Sequence, residues 1–491
     1  MQKGVSYWGA ALIAAAVGAI AITGQSLWID EGAAAFKAIQ PSLGEWWQTL
    51  RDDGSSNLQM PLHFLYAWLW EKIFGGSEIA LRAANVPPLI LAFVAIAWGM
   101  KARPRWQFWL IVLAAINAFT WYYMNEARPY ILLFAGCCTT FACLARAYFS
   151  RASALESRTW FFILLAGSLM VCATSAIAVP WAMTSILGVA LLVGKDAFIQ
   201  LIRGHLFWSC VWFVAICGLS AYYLWTISLG AIPTYGRTGI LNLVFVGYEQ
   251  LGLAGLGPGR IQLRQGNLKS LLHYVPLLGV GSLALLAIAW ETGGFLAARW
   301  KRDSLFLRTG LLIVLPSACV LLAAWLGHAR LWGRHFIPIF PFVLLGLAVG
   351  VERLWEKKIV SAKITVGIFL AVLLVSSIEI RFAPRHAKED YRAAAAYALP
   401  MIRNNKLVWW AADKTTGFYY HLPRWNEPGA TFWASFQSPF PVDLSNRAEP
   451  QMVVLSKPDI YDAHGAIGAL LKEKQFVRRA TLQGFAIWEK P

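Results

Sequence analysis

Charge is what this sequence has least of. Only 14% of its 491 residues are Asp, Glu, Lys or Arg, against 58% that are hydrophobic. That leaves too little polar surface to solvate a globule of this length, which excludes an ordinary water-soluble fold for most of the chain. Acids are the scarcer sign, 26 against 43 basic residues, for a net charge of +17. An excess of this size suits nucleic acid, but here the basic residues are dispersed over loops between apolar runs. Membrane orientation explains that distribution better, and no nucleic-acid partner is expected. Cysteine is sparse, and all seven residues, from Cys137 to Cys319, fall inside apolar runs. The intervening loops therefore hold no disulfide framework. No short-period repeat is present. The glycine run at 252–260 lacks the Gly-Lys-Ser/Thr ending of a phosphate loop and reads as a flexible connection.

Long apolar runs are present in quantity. They predict spans at about 7–23, 82–100, 106–123, 130–149, 160–174, 176–193, 206–225, 271–290, 309–326, 336–351 and 360–378, eleven in all. Ala19-Ile20-Ala21 resembles a cleavage site, but residues 7–23 are read as an uncleaved anchor. The 25 Trp, 16 Tyr and 28 Phe gather near the ends of the runs, where such rings favour the headgroup zone. Lys101, Arg103 and Arg105, then Arg151 and Arg158, then Arg299, Lys301, Arg302 and Arg308, and last Arg353, Lys357 and Lys358 all fall on one side of this count. That side is expected to be cytoplasmic.

The opposite face receives long loops at 24–81 and 226–270, short ones at 125–129 and 328–335, and the whole carboxyl end. Within the first loop, 61–74 reads as a helix lying in the interface, with a proline suited to its start. From about 384 the composition changes. A helix at 389–403, strands at 406–411 and 451–456, a helix at 461–473 and a strand pair within 478–489 describe a small α/β domain. The expected fold class is thus an α-helical polytopic membrane protein with a small extracytoplasmic α/β domain. Residues 1–380 form the membrane part and 381–491 the soluble one.

Three polar groupings lie on that outer face. Asp30 and Glu31 follow the first span; acids in a helix's first turn suit its dipole, and become candidate catalytic groups only in company. Glu126 and Arg128 sit in a tight loop between two spans, either a structural ion pair or a second polar contributor. Arg330 and Arg334, four residues apart, would share one face of a helix, beside Trp332 and His335. Cations on the face where the positive-inside rule disfavours them need a reason. A phosphate headgroup supplies one, because guanidinium offers a planar fork of donors that matches phosphate oxygens. His63 has no helical partner at metal-ligand spacing and reads as an ordinary polar residue.

These strings carry a resemblance. Trp28-Ile29-Asp30-Glu31, Met60-Pro61-Leu62-His63-Phe64-Leu65, Phe74-Gly75-Gly76-Ser77-Glu78-Ile79-Ala80-Leu81-Arg82 and Glu126-Ala127-Arg128-Pro129-Tyr130, in this order, resemble the C-type polytopic glycosyltransferases of family 39. That group includes the protein O-mannosyltransferases and the lipid A aminoarabinose transferases. The motifs cover 25–130, and the span layout extends the likeness to about 380. Arg334-His335 before Ile337-Pro338-Ile339-Phe340-Pro341 is similar to the family's Arg-Tyr-x-x-Pro-x-x-Pro stretch, with His335 in place of tyrosine. The usual His-Pro-Pro-Leu is replaced by Gln59-Met60-Pro61-Leu62, which puts any metal role of that histidine in doubt.

The resemblance implies an inverting hexosyl- or pentosyltransferase that uses a polyprenyl-phosphate sugar and a lipid, glycan or protein acceptor. It implies a bacterial inner membrane with the active site and carboxyl domain facing the periplasm. The catalytic base carries over onto Asp30, with Glu31 beside it and Glu126 as the second-loop acid. Arg330, Arg334 and His335, with Arg128 assisting, would hold the donor phosphate. No cofactor is implied with certainty, and whether a divalent metal takes part stays open. The alternative is a transporter or flippase of a lipid-linked sugar; such proteins tend to carry midplane charges and internal repeats, and this sequence has neither signature. The orientation is directly testable. A reporter active only outside the cytoplasm should be bright when fused after Ile380 and silent at Arg103, and the reverse pattern would invert the topology.

Overall fold

The computed structural model describes residues 4–150, 158–229, 238–424, 427–436, 444 and 447–491, without the side chains of 158 and 264–269. Arg151, the Arg158 side chain and residues 230–237 of the second long loop therefore lie outside the described residues. The chain divides into two compact units. One comprises residues 1–22, 47–66 and 82–386, and the other 23–46, 67–81 and 387–491.

In the first unit each of the eleven expected apolar segments is helical. Among the described residues eight helices are long and apolar enough to cross a bilayer, and Pro104–Ile116 with Ala118–Met124 makes a ninth if that pair, bent by 55°, is one span. Two further apolar helices, Tyr7–Ala21 and Thr159–Thr174, are shorter. The Tyr130–Phe149 helix is buried nearly all round, as its apolar circumference requires, and forms the centre of the packing. Close approach to it depends on small residues. A Cβ on Gly99 of the Val86–Gly99 helix would lie 2.5 Å from the Ala142 Cα, so the two backbones meet where a side chain is missing.

The bend at Asn117 has a local cause. Its side chain accepts the Phe119 amide at 2.8 Å and donates to the Gln250 carbonyl at 3.1 Å, which replaces helical bonds lost at the break. The glycine run at 252–260 is a packed segment and not the flexible connection expected. The Gly255 amide donates to Ser376 Oγ at 2.9 Å, and Arg385 donates to the Gly255 and Gly257 carbonyls at 2.9 and 3.0 Å. The glycines are there because the Val360–Phe382 helix and its C-terminal extension come too close for side chains.

The second unit is built on a five-stranded sheet ordered β2-β1-β3-β5-β4. Its strands are β1 Val408–Ala411, β2 Trp433–Ser435, β3 Met452–Ser456, β4 Val477–Leu482 and β5 Phe485–Glu489. The first three are mutually parallel and the last two form an antiparallel hairpin on β3. β1 and β3 are buried throughout, as central strands of a sheet covered on both faces must be. The expected helix at 461–473 is interrupted. Pro458–Tyr461 and Ala466–Glu473 are separated at Gly465, whose φ is +72°, and Asp462 caps the second piece through the Ile467 and Gly468 amides. The Lys414–Tyr419 helix and β2 were not foreseen.

The boundary expected at 380/381 also differs, because this unit includes two pieces of the first loop. The Ile29–Ala38 helix packs on Lys414–Tyr419 so tightly that a Cβ on Gly32 would lie 2.3 Å from Thr416 Cγ2. The Leu27 amide donates to the Tyr420 hydroxyl at 2.7 Å.

Two glycines of the first unit make a paired test. A Cβ on Gly255 would lie 1.8 Å from the Ser376 carbonyl oxygen, whereas one on Gly310, inside the Ser304–Leu326 helix, would meet nothing within 4 Å. Gly255→Ala should destabilise by about 1–3 kcal/mol through overpacking, and Gly310→Ala should leave stability unchanged or raise it through helix propensity. Thermal unfolding in detergent distinguishes the two.

Candidate active site

In the first unit a polar cluster gathers where the helices are interrupted. Ala118–Met124, turned by the Asn117 break, presents Tyr122 and Tyr123. The tight turn after it holds Glu126, fully buried, and Arg128, nearly so. Asn85 fixes that turn by donating to the carbonyls of Glu126 at 2.6 Å and Met124 at 3.2 Å. Arg128 donates to Asn57 Oδ1 at 3.1 Å. Its guanidinium lies 6.0 Å from the centre of the Tyr130 ring, and that of Arg334 lies 5.8 Å from the same ring. Glu126 and Arg128 of one loop and Arg334 of another thus belong to one grouping.

Two members of the grouping were not anticipated. Arg260 lies 4.3 Å from the Tyr122 ring centre and donates to Glu249 Oε1 at 3.3 Å. The other oxygen of Glu249 accepts the Gly333 amide at 3.0 Å, which ties the Ile240–Gln250 helix to the segment bearing Arg334. Burial raises the proton affinity of Glu249, while Arg260 and the Gly333 amide pull the other way. The Tyr122 hydroxyl faces Glu126, and Tyr123 is within reach of the charges on Glu249, Arg260, Glu126 and Arg334. His63 is buried in this unit, its pKa lowered to about 3 by burial and by Arg128, so it stays neutral at physiological pH.

The helical face expected to carry Arg330 and Arg334 together does not exist. His328 has a positive φ, Trp332 is extended, and helix begins only at Gly333 as a 3-10 turn. Thr238 fixes the extended stretch by donating to the Ala329 carbonyl at 2.7 Å and accepting the Leu331 amide at 3.0 Å. Arg330 is exposed, with its guanidinium 5.9 Å from the Trp332 ring centre, while Arg334 turns to Tyr130. His335 accepts the Trp332 amide on Nδ1 at 3.0 Å, so that nitrogen caps the turn and only Nε2 is left for another partner.

Asp30 and Glu31 lie in the second unit, in the first turn of Ile29–Ala38. Their environments differ. Glu31 is fully buried and accepts Lys388 Nζ at 2.8 Å, with Lys388 itself nearly buried. Asp30 is half-buried and faces Tyr461 electrostatically. A second pair, Lys457 with Glu389 at 2.8 Å, stands in the same unit, Lys457 lying over the Trp28 ring. Lys388 was missed by sequence reasoning; its only signal is the Lys388-Glu389-Asp390 run soon after the last span. Among the described residues no three His, Cys, Asp or Glu side chains are placed to hold a metal ion.

The architecture comes first: a polytopic helical membrane unit followed by a small five-stranded sheet unit, a fold with a counterpart among solved structures. The particular likeness is to the crystal structure of ArnT from Cupriavidus metallidurans in the apo state, with a TM-score of 0.55 and 12% identity over 98% of this chain and 97% of that one. The structure of the same protein bound to undecaprenyl phosphate aligns with a TM-score of 0.47 and 13% identity over 99% and 97% of the two chains. No protein-family model and no curated protein sequence matches the chain. At this identity the likeness is one of fold.

The buried Glu31–Lys388 pair yields a prediction. Lys388→Met leaves an uncompensated buried carboxylate and should cost about 3–5 kcal/mol. Adding Glu31→Gln should recover most of that loss. Chemical denaturation of the two single variants and the double variant measures the coupling, and additive losses would mean that the pair contributes nothing as a pair.

Proposed function

We propose that this chain is an inverting membrane glycosyltransferase. In this reading it takes a hexose or pentose from a polyprenyl-phosphate donor and passes it to a lipid, glycan or protein acceptor on the periplasmic face. The observation that carries the reading is the convergence of Arg128, Arg334 and Arg260 on Tyr130 and Tyr122, beside the buried acids Glu126 and Glu249, in a chain of this fold. Guanidinium groups at helix interruptions suit a phosphate that enters from lipid, because they supply charge and directed hydrogen bonds where water is scarce.

The chemistry needs no nucleotide. The acceptor oxygen attacks the anomeric carbon and forms the new glycosidic bond, while the bond from that carbon to the phosphate oxygen breaks. The electron pair leaves with the polyprenyl phosphate, where Arg334 and Arg128 stabilise the added charge. The acceptor proton passes to a carboxylate, for which we assign Asp30. The assignment follows the sequence resemblance, and it is consistent with the half-exposed position of Asp30 beside a fully buried Glu31. Glu126, buried among arginines, is assigned to holding their geometry. Attack from the face opposite the leaving phosphate inverts the anomeric centre.

Arg334→Lys should transfer sugar poorly, since a point charge does not reproduce the fork. Arg334→Ala should lose more, about 2–4 kcal/mol of transition-state stabilisation, the scale of one removed oxyanion donor. Asp30→Asn should abolish transfer while leaving membrane insertion and polyprenyl-phosphate affinity in place. Transfer rate and lipid-phosphate affinity in nanodiscs are the measurements. The donor itself is identified by which lipid-linked sugar accumulates when the protein is lost. Full turnover by an inserted Asp30→Asn protein would remove Asp30 as base, and donor translocation without sugar transfer would replace the enzyme reading by a flippase.

A further inference from the structure

An apolar cavity of about 370 Å³ lies in the first unit, among the Tyr130–Phe149, Val275–Arg302, Ser304–Leu326 and Phe340–Glu356 helices. It uses the part of three of these helices nearest the basic loops. Tyr148 and Phe149 end the first, Phe295 and Arg299 belong to the last turns of the second, and Phe306 and Gly310 begin the third. On the first helix the lining begins at Phe141, roughly 16 Å beyond Tyr130 at 1.5 Å per residue, and on the last helix it begins at Ile339, after the segment that bears Arg334. Tyr122, Tyr130, Arg128, Arg260 and Arg334 are not part of the lining.

Its walls lack side chains on one side. A Cβ on Gly310 would meet nothing within 4 Å, and one on Gly346 only Thr292, at 3.6 Å. Leu296 and Val314, also in the lining, are 42% and 55% exposed, so the cavity opens sideways. Its mouth is cationic. Arg299 is part of the lining, and the Arg103 guanidinium lies 5.6 Å from the Trp106 ring centre and 5.3 Å from that of Phe149, both lining rings. The acid there, Asp303, caps a helix by accepting the Leu305 and Phe306 amides, accepts the Tyr148 hydroxyl, and lies within electrostatic reach of Arg299, so the mouth carries two guanidinium groups against one carboxylate.

We propose that this cavity holds one acyl chain of an anionic glycerophospholipid from the leaflet on the basic-loop side, with the phosphate at Arg103 and Arg299. Size selects the occupant. The volume holds about a dozen water- or methylene-sized groups at roughly 30 Å³ each, which is most of one acyl chain and only a small part of a polyprenyl tail of many isoprene units. Charge selects the headgroup, since two arginines at a sideways-opening apolar slot favour an anion over a zwitterion. The proposal is independent of the transferase reading.

The test uses delipidated full-length protein in mild detergent, titrated with dioleoyl phosphatidylglycerol, dioleoyl phosphatidylcholine or undecaprenyl phosphate and read by native mass spectrometry. One equivalent of phosphatidylglycerol should be retained about tenfold more tightly than phosphatidylcholine. Gly310→Phe, which fills the slot, should lower that retention about tenfold, with Gly346→Leu as a second filling variant. Arg299→Ala should erase the preference between the two headgroups. Equal retention of phosphatidylglycerol by the parent and the filled variants would overturn the site. Displacement of phosphatidylglycerol by undecaprenyl phosphate, itself lost in Gly310→Phe, would overturn the occupant.

Discussion

Hydrocarbon offers no hydrogen-bond partners, so a backbone amide in the spanning region must be satisfied within its own helix or by a side chain sent to replace the missing bond. In the first unit this constraint places the polar cluster. The helix break at Asn117 is closed by its own side chain and by Gln250, and Gln250 donates in turn to the Phe336 carbonyl at 2.8 Å. The neighbouring residue, Glu249, accepts the Gly333 amide at the start of the last interrupted segment and pairs with Arg260. Residues that repair the interruptions are thus adjacent to those that carry charge. The cluster around Tyr122 and Tyr130 stands where the breaks at Asn117 and at Gly333 are repaired.

Much of this was legible in the sequence because its causes are local. Apolar length alone marks the eleven apolar segments that prove helical, although length does not reveal that one span is bent at Asn117 or that Tyr7–Ala21 is only 15 residues long. Asp30, Glu31, Glu126, Arg128 and Arg334 were singled out from short strings next to span ends. Glu249 and Arg260 were not, because each gains its meaning from a partner distant in sequence: Glu249 from Gly333, Arg260 from Tyr122. Arg260 also stands behind a glycine run whose close backbone packing cannot be told from flexibility by composition. The expectation for Arg330 and Arg334 failed on backbone conformation, since spacing predicts a shared face only if the segment is helical. The positive φ of His328 and the Thr238 contacts make it extended.

The paired acids at the first loop show how packing separates chemically similar groups. Glu31 points into the second unit, where removal from water would strongly penalise its charge without Lys388 at 2.8 Å. Such a pair adds little net stability, because the desolvation of both ions offsets their attraction. Its effect is to fix position: the close contact of Gly32 with Thr416 and the Tyr420 hydroxyl on the Leu27 amide hold the same turn from both ends. With its neighbour so held, Asp30 is left at the half-exposed edge. Two carboxylates adjacent in sequence thus stand in different environments, one buried in an ion pair and one half-exposed.

The basic loops show a comparable division among cations. Arg105 pairs with Glu352 and Glu356, and Lys357 and Arg353 pair with Glu291, so part of the positive charge on that side is balanced by acids on the helices themselves. Arg103 lies instead over Trp106 and Phe149, and Arg299 lines the apolar cavity beside them. At the other end of the Tyr130–Phe149 helix the arginines stand beside the buried acids Glu126 and Glu249. The same helix thus has guanidinium groups set among carboxylates and tyrosine rings near its start, and near its end guanidinium groups set against aromatic rings and an apolar slot, with the capping carboxylate of Asp303 within electrostatic reach of Arg299.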